Sequence, residues 1–187
     1  VFSDALDFDG GQISFRWSDP AQILEVRGAR LSDGDLVFAV DGQARASEAG
    51  WITDVRAEAQ NMTVQDLLAH WPVAAAVNAR TWVADNIPEA DMPNVLVQIR
   101  VGRGQPHLSL NFDYENLTSS YIDGMPAITN AAGRGHMSFH DLFLEMEKGI
   151  VRPAGAGPIA VDGSYAEALD FWGEVTPANI ELKLAGP

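Results

Sequence analysis

The stretch Leu108-Ser109-Leu110-Asn111-Phe112-Asp113 decides how this chain reads. Apolar and polar side chains alternate with a period of two. As a strand, the segment puts Leu108, Leu110 and Phe112 on one face and Ser109, Asn111 and Asp113 on the other. The same rhythm recurs on both sides of it. Upstream, Val95, Val97, Ile99 and Val101 alternate with Gln98 and Arg100, as Ile13, Phe15 and Trp17 do with Ser14 and Arg16. Leu36, Phe38 and Val40 form another such run. Downstream, Leu142, Leu144 and Met146 face away from Glu145 and Glu147, and Ile180, Leu182 and Leu184 alternate with Glu181 and Lys183. One apolar and one wet face is the habit of antiparallel sheets. Asp-Gly pairs at 9–10, 33–34, 41–42, 123–124 and 162–163 predict turns, and Gly102-Arg103-Gly104 and Gly133-Arg134-Gly135 read as hairpin turns.

One stretch follows a different period. Thr63-Val64-Gln65-Asp66 has the form of a capping box, and Val64, Leu67, Leu68 and Trp71 then fall at helical spacing up to Pro72. A second helix is predicted from about Val73 to Asn86, with an apolar stripe of Val73, Ala76, Val77, Val83, Ala84 and Ile87. Arg80 falls inside that stripe and needs a carboxylate or carbonyl partner, so it reads as a structural clamp beside Trp71 and Trp82. Pro88 ends the helix, and Pro93 is expected to start the next strand. The organisation expected is an N-terminal β-rich half over residues 1–60, a two-helix insert over 61–90 and a C-terminal β-rich half over 91–187, in one continuous unit. Leu31–Asp41 resembles Met137–Glu147 in phase and at Ser, Asp and Leu, as a repeated strand–turn–strand would. The fold class is therefore mainly β with a small α insert.

Composition bounds the function. The chain has 187 residues, with 12 basic against 26 acidic side chains and a net charge of -14. Such a field repels phosphate backbones, which argues against nucleic-acid binding. It leaves lipid open, because acyl chains are held by apolar contact. There are no cysteines, which removes disulfides, thiolate metal sites and cysteine nucleophiles. No run of about 18 apolar residues is present to cross a bilayer as a helix. The start, Val-Phe-Ser-Asp, suggests excision from a longer chain.

No catalytic constellation stands out, and the chain is expected to be non-enzymatic, with no cofactor and no metal. His136 and His140 have the spacing of a helical zinc pair, but in a strand four residues span about 13 Å, too far to share an ion. The aspartates at 4, 7, 9, 33 and 35 lack the spacing of a calcium loop and read as turns and a solvated face. Trp17, Trp51 and Trp172 are scattered, which fits packing better than a sugar platform. A hydrolase would need a cleft of carboxylates that the sequence does not locate.

At the insert the sequence resembles a family. Leu67-Leu68-Ala69-His70-Trp71-Pro72, Ala79-Arg80-Thr81-Trp82-Val83 and Asn86-Ile87 are similar to a Trp-Pro…Ala-Arg-x-Trp…Asn segment of the bacterial AsmA-like superfamily, in its YhdP-like branch. Tyr121-Ile122-Asp123-Gly124-Met125-Pro126-Ala127-Ile128, followed by Gly133-Arg134-Gly135-His136-Met137-Ser138, looks like that family's strand, Met-Pro corner and hairpin. The resemblance covers roughly residues 30–165. It implies an internal segment of a long periplasmic protein anchored in the inner membrane, which helps move phospholipid to the outer membrane along a curved sheet with an apolar groove. It brings no catalytic residues.

Joined to the alternation, the resemblance predicts an extended, curved antiparallel sheet whose concave face is apolar and takes phospholipid acyl chains. Neighbouring segments of the full-length chain would be its other partners. The groove candidates are Ile13, Phe15, Trp17, Leu36, Phe38, Val40, Val97, Ile99, Leu108, Leu110, Phe112, Leu142, Leu144, Met146, Ile180, Leu182 and Leu184. Alternation alone leaves a second arrangement open, in which these side chains fill a closed β-sandwich that binds or scaffolds without lipid.

Overall fold

The computed structural model describes residues 7–71, 73, 77–102, 104–121, 124–138, 140–169 and 178–186. Asp4, Pro72, Ala76, Arg103, Ile122, Asp123 and Trp172 lie outside the described residues. The strands are β1 (Gly10–Gln12), β2 (Phe15–Ser18), β3 (Ile23–Asp33), β4 (Leu36–Ser47), β5 (Gly50–Thr63), β6 (Glu89–Val101), β7 (His107–Ser119), β8 (Ile128–Ser138), β9 (Asp141–Val151), β10 (Ile159–Ala160), β11 (Tyr165–Leu169) and β12 (Ala178–Glu181). Helices α1 (Val64–His70) and α2 (Val77–Asn86) sit between β5 and β6. All twelve strands belong to one open antiparallel sheet, ordered β1-β3-β4-β5-β6-β7-β8-β9-β11-β12, with β2 beside β3 and β10 beside β9. The alternation therefore builds a single curved layer, and the described residues form no second sheet to close a sandwich. β5 and β6 pair directly from Thr53–Val101 to Thr63–Asp91, so the helices leave the sheet without dividing it.

The bending has a local origin. Gly28, Asn61, Asn116 and Asn130 adopt left-handed backbone inside β3, β5, β7 and β8, with φ of 68°, 58°, 51° and 52°. Asn tolerates that region better than other side chains. Three of the four sit at or beside a register shift. Between β6 and β7, for instance, Asp91 faces Glu115 while Glu89 faces Thr118, which leaves Asn116 as the extra residue. Such bulges bend a strand and increase its twist. Polar side chains hold them: Asn61 donates to the Asp35 carbonyl at 3.1 Å, Asn116 to Asp91 at 2.7 Å, and the Gly28 N–H to Asp41 at 2.7 Å.

Several glycines read above as turns are not turns. Asp41-Gly42 lies inside β4, where Asp41 accepts from the β3 bulge. A Cβ on Gly42 would meet the Asp54 carbonyl oxygen at 2.6 Å. Gly133-Arg134-Gly135 lies inside β8. There the Phe112 ring lies across Gly135, and Tyr114 passes over Gly133 to donate its hydroxyl to the Glu145 carbonyl in β9 at 3.0 Å. Missing side chains, not turn geometry, explain these three glycines. Asp33-Gly34 and Asp162-Gly163 do turn, with Gly34 and Gly163 at φ 56° and 72°. Pro93 sits within β6, opposite the left-handed Asn61, and not at a strand start. The two repeat copies are both hairpins, β3–β4 and β8–β9, and their apolar residues share one face.

The capping box forms: Thr63 Oγ1 accepts from the Asp66 N–H at 3.2 Å, and Asp66 accepts from the Thr63 N–H at 2.9 Å. A cap of this kind contributes about 1 kcal/mol. Seven residues cannot hold a helix alone, so α1 depends on packing. Leu67 meets Leu36, Ala59, Met62, Met92 and Val95, and the His70 ring lies on Phe38 with centroids 4.9 Å apart. Trp71, the residue before Pro72, is extended and ends the helix. The second helix begins at Val77, and none of its residues is buried. Of its predicted stripe, Val73, Val77 and Ala84 are exposed and Val83 and Ile87 are half-buried, while α1 packs on the sheet at β5 and β6. No described helix is long and apolar enough to cross a membrane.

The two β8 glycines separate by their obstacles. Gly135→Ala places a Cβ 2.1 Å from the Phe112 ring, whereas at Gly133 the nearest atom is the Glu145 carbonyl oxygen, at 1.9 Å. Each substitution should destabilise by about 1–3 kcal/mol through overpacking. In a denaturant double-mutant cycle, Phe112→Leu should relieve much of the Gly135→Ala loss, while Tyr114→Phe should leave the Gly133→Ala loss nearly whole.

Candidate functional site

Register decides which side chains share a face, because directly paired residues in an antiparallel ladder point the same way. One row crosses the sheet as Ala29, Val40, Ala57, Val97, Leu110, Met137, Leu142 and Ala168. The next runs Leu31, Phe38, Ala59, Val95, Phe112, Gly135, Leu144, Ala166 and Ile180. A third joins Phe15, Val26, Gly42, Val55, Ile99 and Leu108, and a fourth joins Trp17, Leu24, Ala44, Thr53 and Val101. Apart from the Thr53 hydroxyl and the Trp17 indole N–H, these rows carry no hydrogen-bonding side-chain group. Leu36 and Met146 continue the same face toward the helices.

The opposite face is wet. Its rows include Glu25, Gln43, Asp54 and Arg100, and Asn94, Asp113, Arg134 and Glu145. Arg100 pairs with Asp54 at 3.2 Å and Arg134 with Glu147 at 3.1 Å, all exposed, so each pair contributes about 0–1 kcal/mol. His136 lies on this side, with Nδ1 2.9 Å from the Asn111 amide oxygen, while His140 occupies the β8–β9 turn. Among the described residues no group of three or more His, Asp or Glu is placed to hold a metal ion.

Among the described residues, nothing is packed over the hairpin half of the apolar face. Cover is confined to the end where α1 and the β3–β4 turn lie. Leu36 is 3% exposed there, in the cluster that receives Leu67. A second cluster, of Tyr114, Ile128, Ala131, Val151 and Val161, closes the neighbouring part of that end. Toward the β4–β5 and β6–β7 hairpins the cover stops: Val40, Val97, Leu108, Leu110 and Leu142 are half-buried, and Phe15, Trp17 and Trp51 are 68%, 50% and 55% exposed.

Of the candidates, Phe15, Trp17, Leu36, Phe38, Val40, Val97, Ile99, Leu108, Leu110, Phe112, Leu142, Leu144, Met146 and Ile180 come together on this face. Ile13 lies between β1 and β2, exposed and outside both strands. The last strand stops at Glu181, short of Leu182 and Leu184, because the chain turns there. The Lys183 N–H donates to the buried Ser164 hydroxyl at 3.0 Å, and Ala185 bridges to Ala160. Arg80 Nη2 donates to the Leu68 carbonyl at 3.1 Å and ties α2 to the end of α1, while Trp82 is exposed. Ala57, Ala59, Val55, Met137, Ala166 and Ala168 complete the rows and were not singled out from sequence. Only their pairing with larger neighbours identifies them. Compared with known proteins, the chain matches no family model, no curated protein and no solved structure.

Tyr114 marks where the apolar face dries out. It is 4% exposed, and burial, reinforced by the charges of Glu147 and Glu145, pushes its hydroxyl from 10.0 up to about 12. The Tyr165 hydroxyl is also raised, chiefly by its hydrogen bond to Glu181. Because the folded state holds the Tyr114 proton more tightly, its contribution is whole below pH 10 and is lost as pH climbs through about 12. Denaturation at stepped alkaline pH should show stability falling across that window, less steeply for Tyr114→Phe. Phenolate absorbance of the folded wild type should include one late-titrating tyrosine that the variant lacks.

Proposed function

We propose that this chain is a non-enzymatic section of a bacterial envelope protein of the AsmA-like, YhdP-like kind, and that its apolar face shields phospholipid acyl chains during transport between membranes. The observation that carries the reading is a continuous apolar face whose hairpin half has no layer over it among the described residues. With strands of 11 to 14 residues in β3 to β9, the face is about 40 Å along the strands. The seven long strands, spaced about 4.8 Å apart, make it about 30 Å wide. Its uncovered part, about 20 Å along the strands by about 30 Å across them, is about 600 Å², at the top of the range for the largest apolar patch usual on a monomer.

The chemistry of the face favours an acyl chain over a ligand that needs directed contacts. Its rows present methyl groups and aromatic rings and offer almost no side-chain hydrogen-bonding group. An exposed acyl chain is disfavoured by about 0.8 kcal/mol per methylene, or on the order of 12 kcal/mol for 16 carbons. Contact with the face removes most of that penalty without fixing the chain at one point, so lateral sliding breaks no strong bond. The paired charged side chains in the middle of the strands lie on the wet face, so the acidic charge does not oppose such contact. A periplasmic location, with the full-length protein anchored in the inner membrane and neighbouring segments extending the groove, belongs to the same reading.

Organic extraction and native mass spectrometry of the segment purified from bacteria test it. Wild type should carry phospholipid. Ile99→Asp, at a position 37% exposed on the apolar face, should lower bound lipid at least about fivefold, since a carboxylate set against hydrocarbon is disfavoured by more than about 1 kcal/mol. Gln98→Asp, on the opposite face, should leave it unchanged. A lipid-free wild type, or undiminished lipid in Ile99→Asp, would overturn the reading.

A further inference from the structure

The apolar face is closed at one end of the strands and open at the other, and a lipid bound there need not be free to lie either way round. At the helix end, α1 sits on the face through Leu67, and His70 covers Phe38. Along β4 the cover thins from Leu36, which is buried, through Phe38 and Val40, which are half-buried, to the β4–β5 hairpin, where Trp51 is exposed. From Val40 to Ala46 the open stretch measures about 20 Å. One leaflet of a bilayer holds its acyl chains in about 15 Å. The open stretch therefore accommodates one chain length before it meets α1.

The geometry points to a polarised groove: a phospholipid lies with its acyl methyl ends against α1 and its phosphodiester headgroup at the hairpin rim, between Trp17 and Trp51. This rests on the acyl-chain reading above and assigns the orientation and the exit side that reading leaves open. Two further features agree with it. Trp17 and Trp51 stand where apolar rows give way to solvent, the position an indole favours at a boundary between hydrocarbon and headgroups. Charge agrees at the closed end. At the helix end Asp33, Asp35 and Asp66 line one depression, which repels a phosphodiester.

The absence of cysteine makes the test direct. Glu48→Cys places a single spin label in the exposed hairpin turn, and Asp35→Cys places one in the exposed β3–β4 turn at the helix end. Neither position belongs to the apolar rows. Each labelled protein is mixed with phosphatidylglycerol that carries a nitroxide either near the glycerol or near the acyl methyl end, and distances are read by pulsed dipolar electron paramagnetic resonance. From Glu48→Cys the glycerol-end nitroxide should be the nearer of the two. From Asp35→Cys the order should reverse. The same order from both labels, or overlapping distributions from either, means that lipid binds without polarity, which overturns this inference and leaves the acyl-chain reading standing. No dipolar signal with either lipid would overturn both.

Discussion

Twelve strands hydrogen-bonded in one layer give each side chain only two faces to choose between, and pairing ties that choice from strand to strand. Once Leu110 points to one side, Val97 and Met137 must follow, and through them Ala57 and Leu142. A slip of one residue in any ladder would send a whole row to the wet face. The backbone pairing of β3 through β9 is thus the interaction on which everything else depends. It fixes register, register fixes the faces, and the apolar face follows from that. No second sheet forms among the described residues to take the hydrophobic surface out of water.

A broad single layer also has to bend, and the sequence supplies the means at particular residues. Asn61, Asn116 and Asn130 hold left-handed backbone inside strands, with Asn61 and Asn116 bonded to the neighbouring strand or turn. Where the bend crowds β7 against β8 and β9, side chains are removed. Gly133 lets Tyr114 reach the Glu145 carbonyl two strands away, and Gly135 receives the Phe112 ring. These contacts do for the third and fourth strands of the C-terminal part what α1 does for β5 and β6. Each closes the helix end of the face and leaves the hairpin end alone.

Much of this was legible in sequence because alternation reports directly on a half-wet strand. Leu108, Leu110 and Phe112 were placed correctly without any knowledge of their partners, and the Thr63–Asp66 capping box announced α1 to the residue. The failures have physical causes. Glycine has two uses, positive φ and the absence of a Cβ, and sequence does not separate them; Gly42, Gly133 and Gly135 serve the second. Val55-Arg56-Ala57-Glu58-Ala59 alternates as cleanly as any segment, but alanine contributes so little apolar contrast that β5 went unremarked. In α2 the apolar spacing was present, but tertiary cover is only partial, and none of its residues is buried. A helical stripe shows what can be buried, and a neighbour decides whether it is. Which side chains share the apolar face was therefore largely readable, whereas its gradient of cover was not.

That gradient bears on how a surface of this kind can avoid aggregation and yet stay accessible. A closed sandwich would bury Val97 and Leu110 permanently and leave no room for exchange. A flat, open sheet would expose them and its edges to other chains. Here the helix end is packed densely enough to fix the register of the long strands, while the hairpin end keeps the same rows accessible. Stability and access are thus assigned to different parts of each strand. The division follows from strand length: residues of β4 from Leu36 to Phe38 anchor under α1, and those from Val40 to Ala46 remain available. Shorter strands could satisfy one requirement or the other, and eleven to fourteen residues suffice for both.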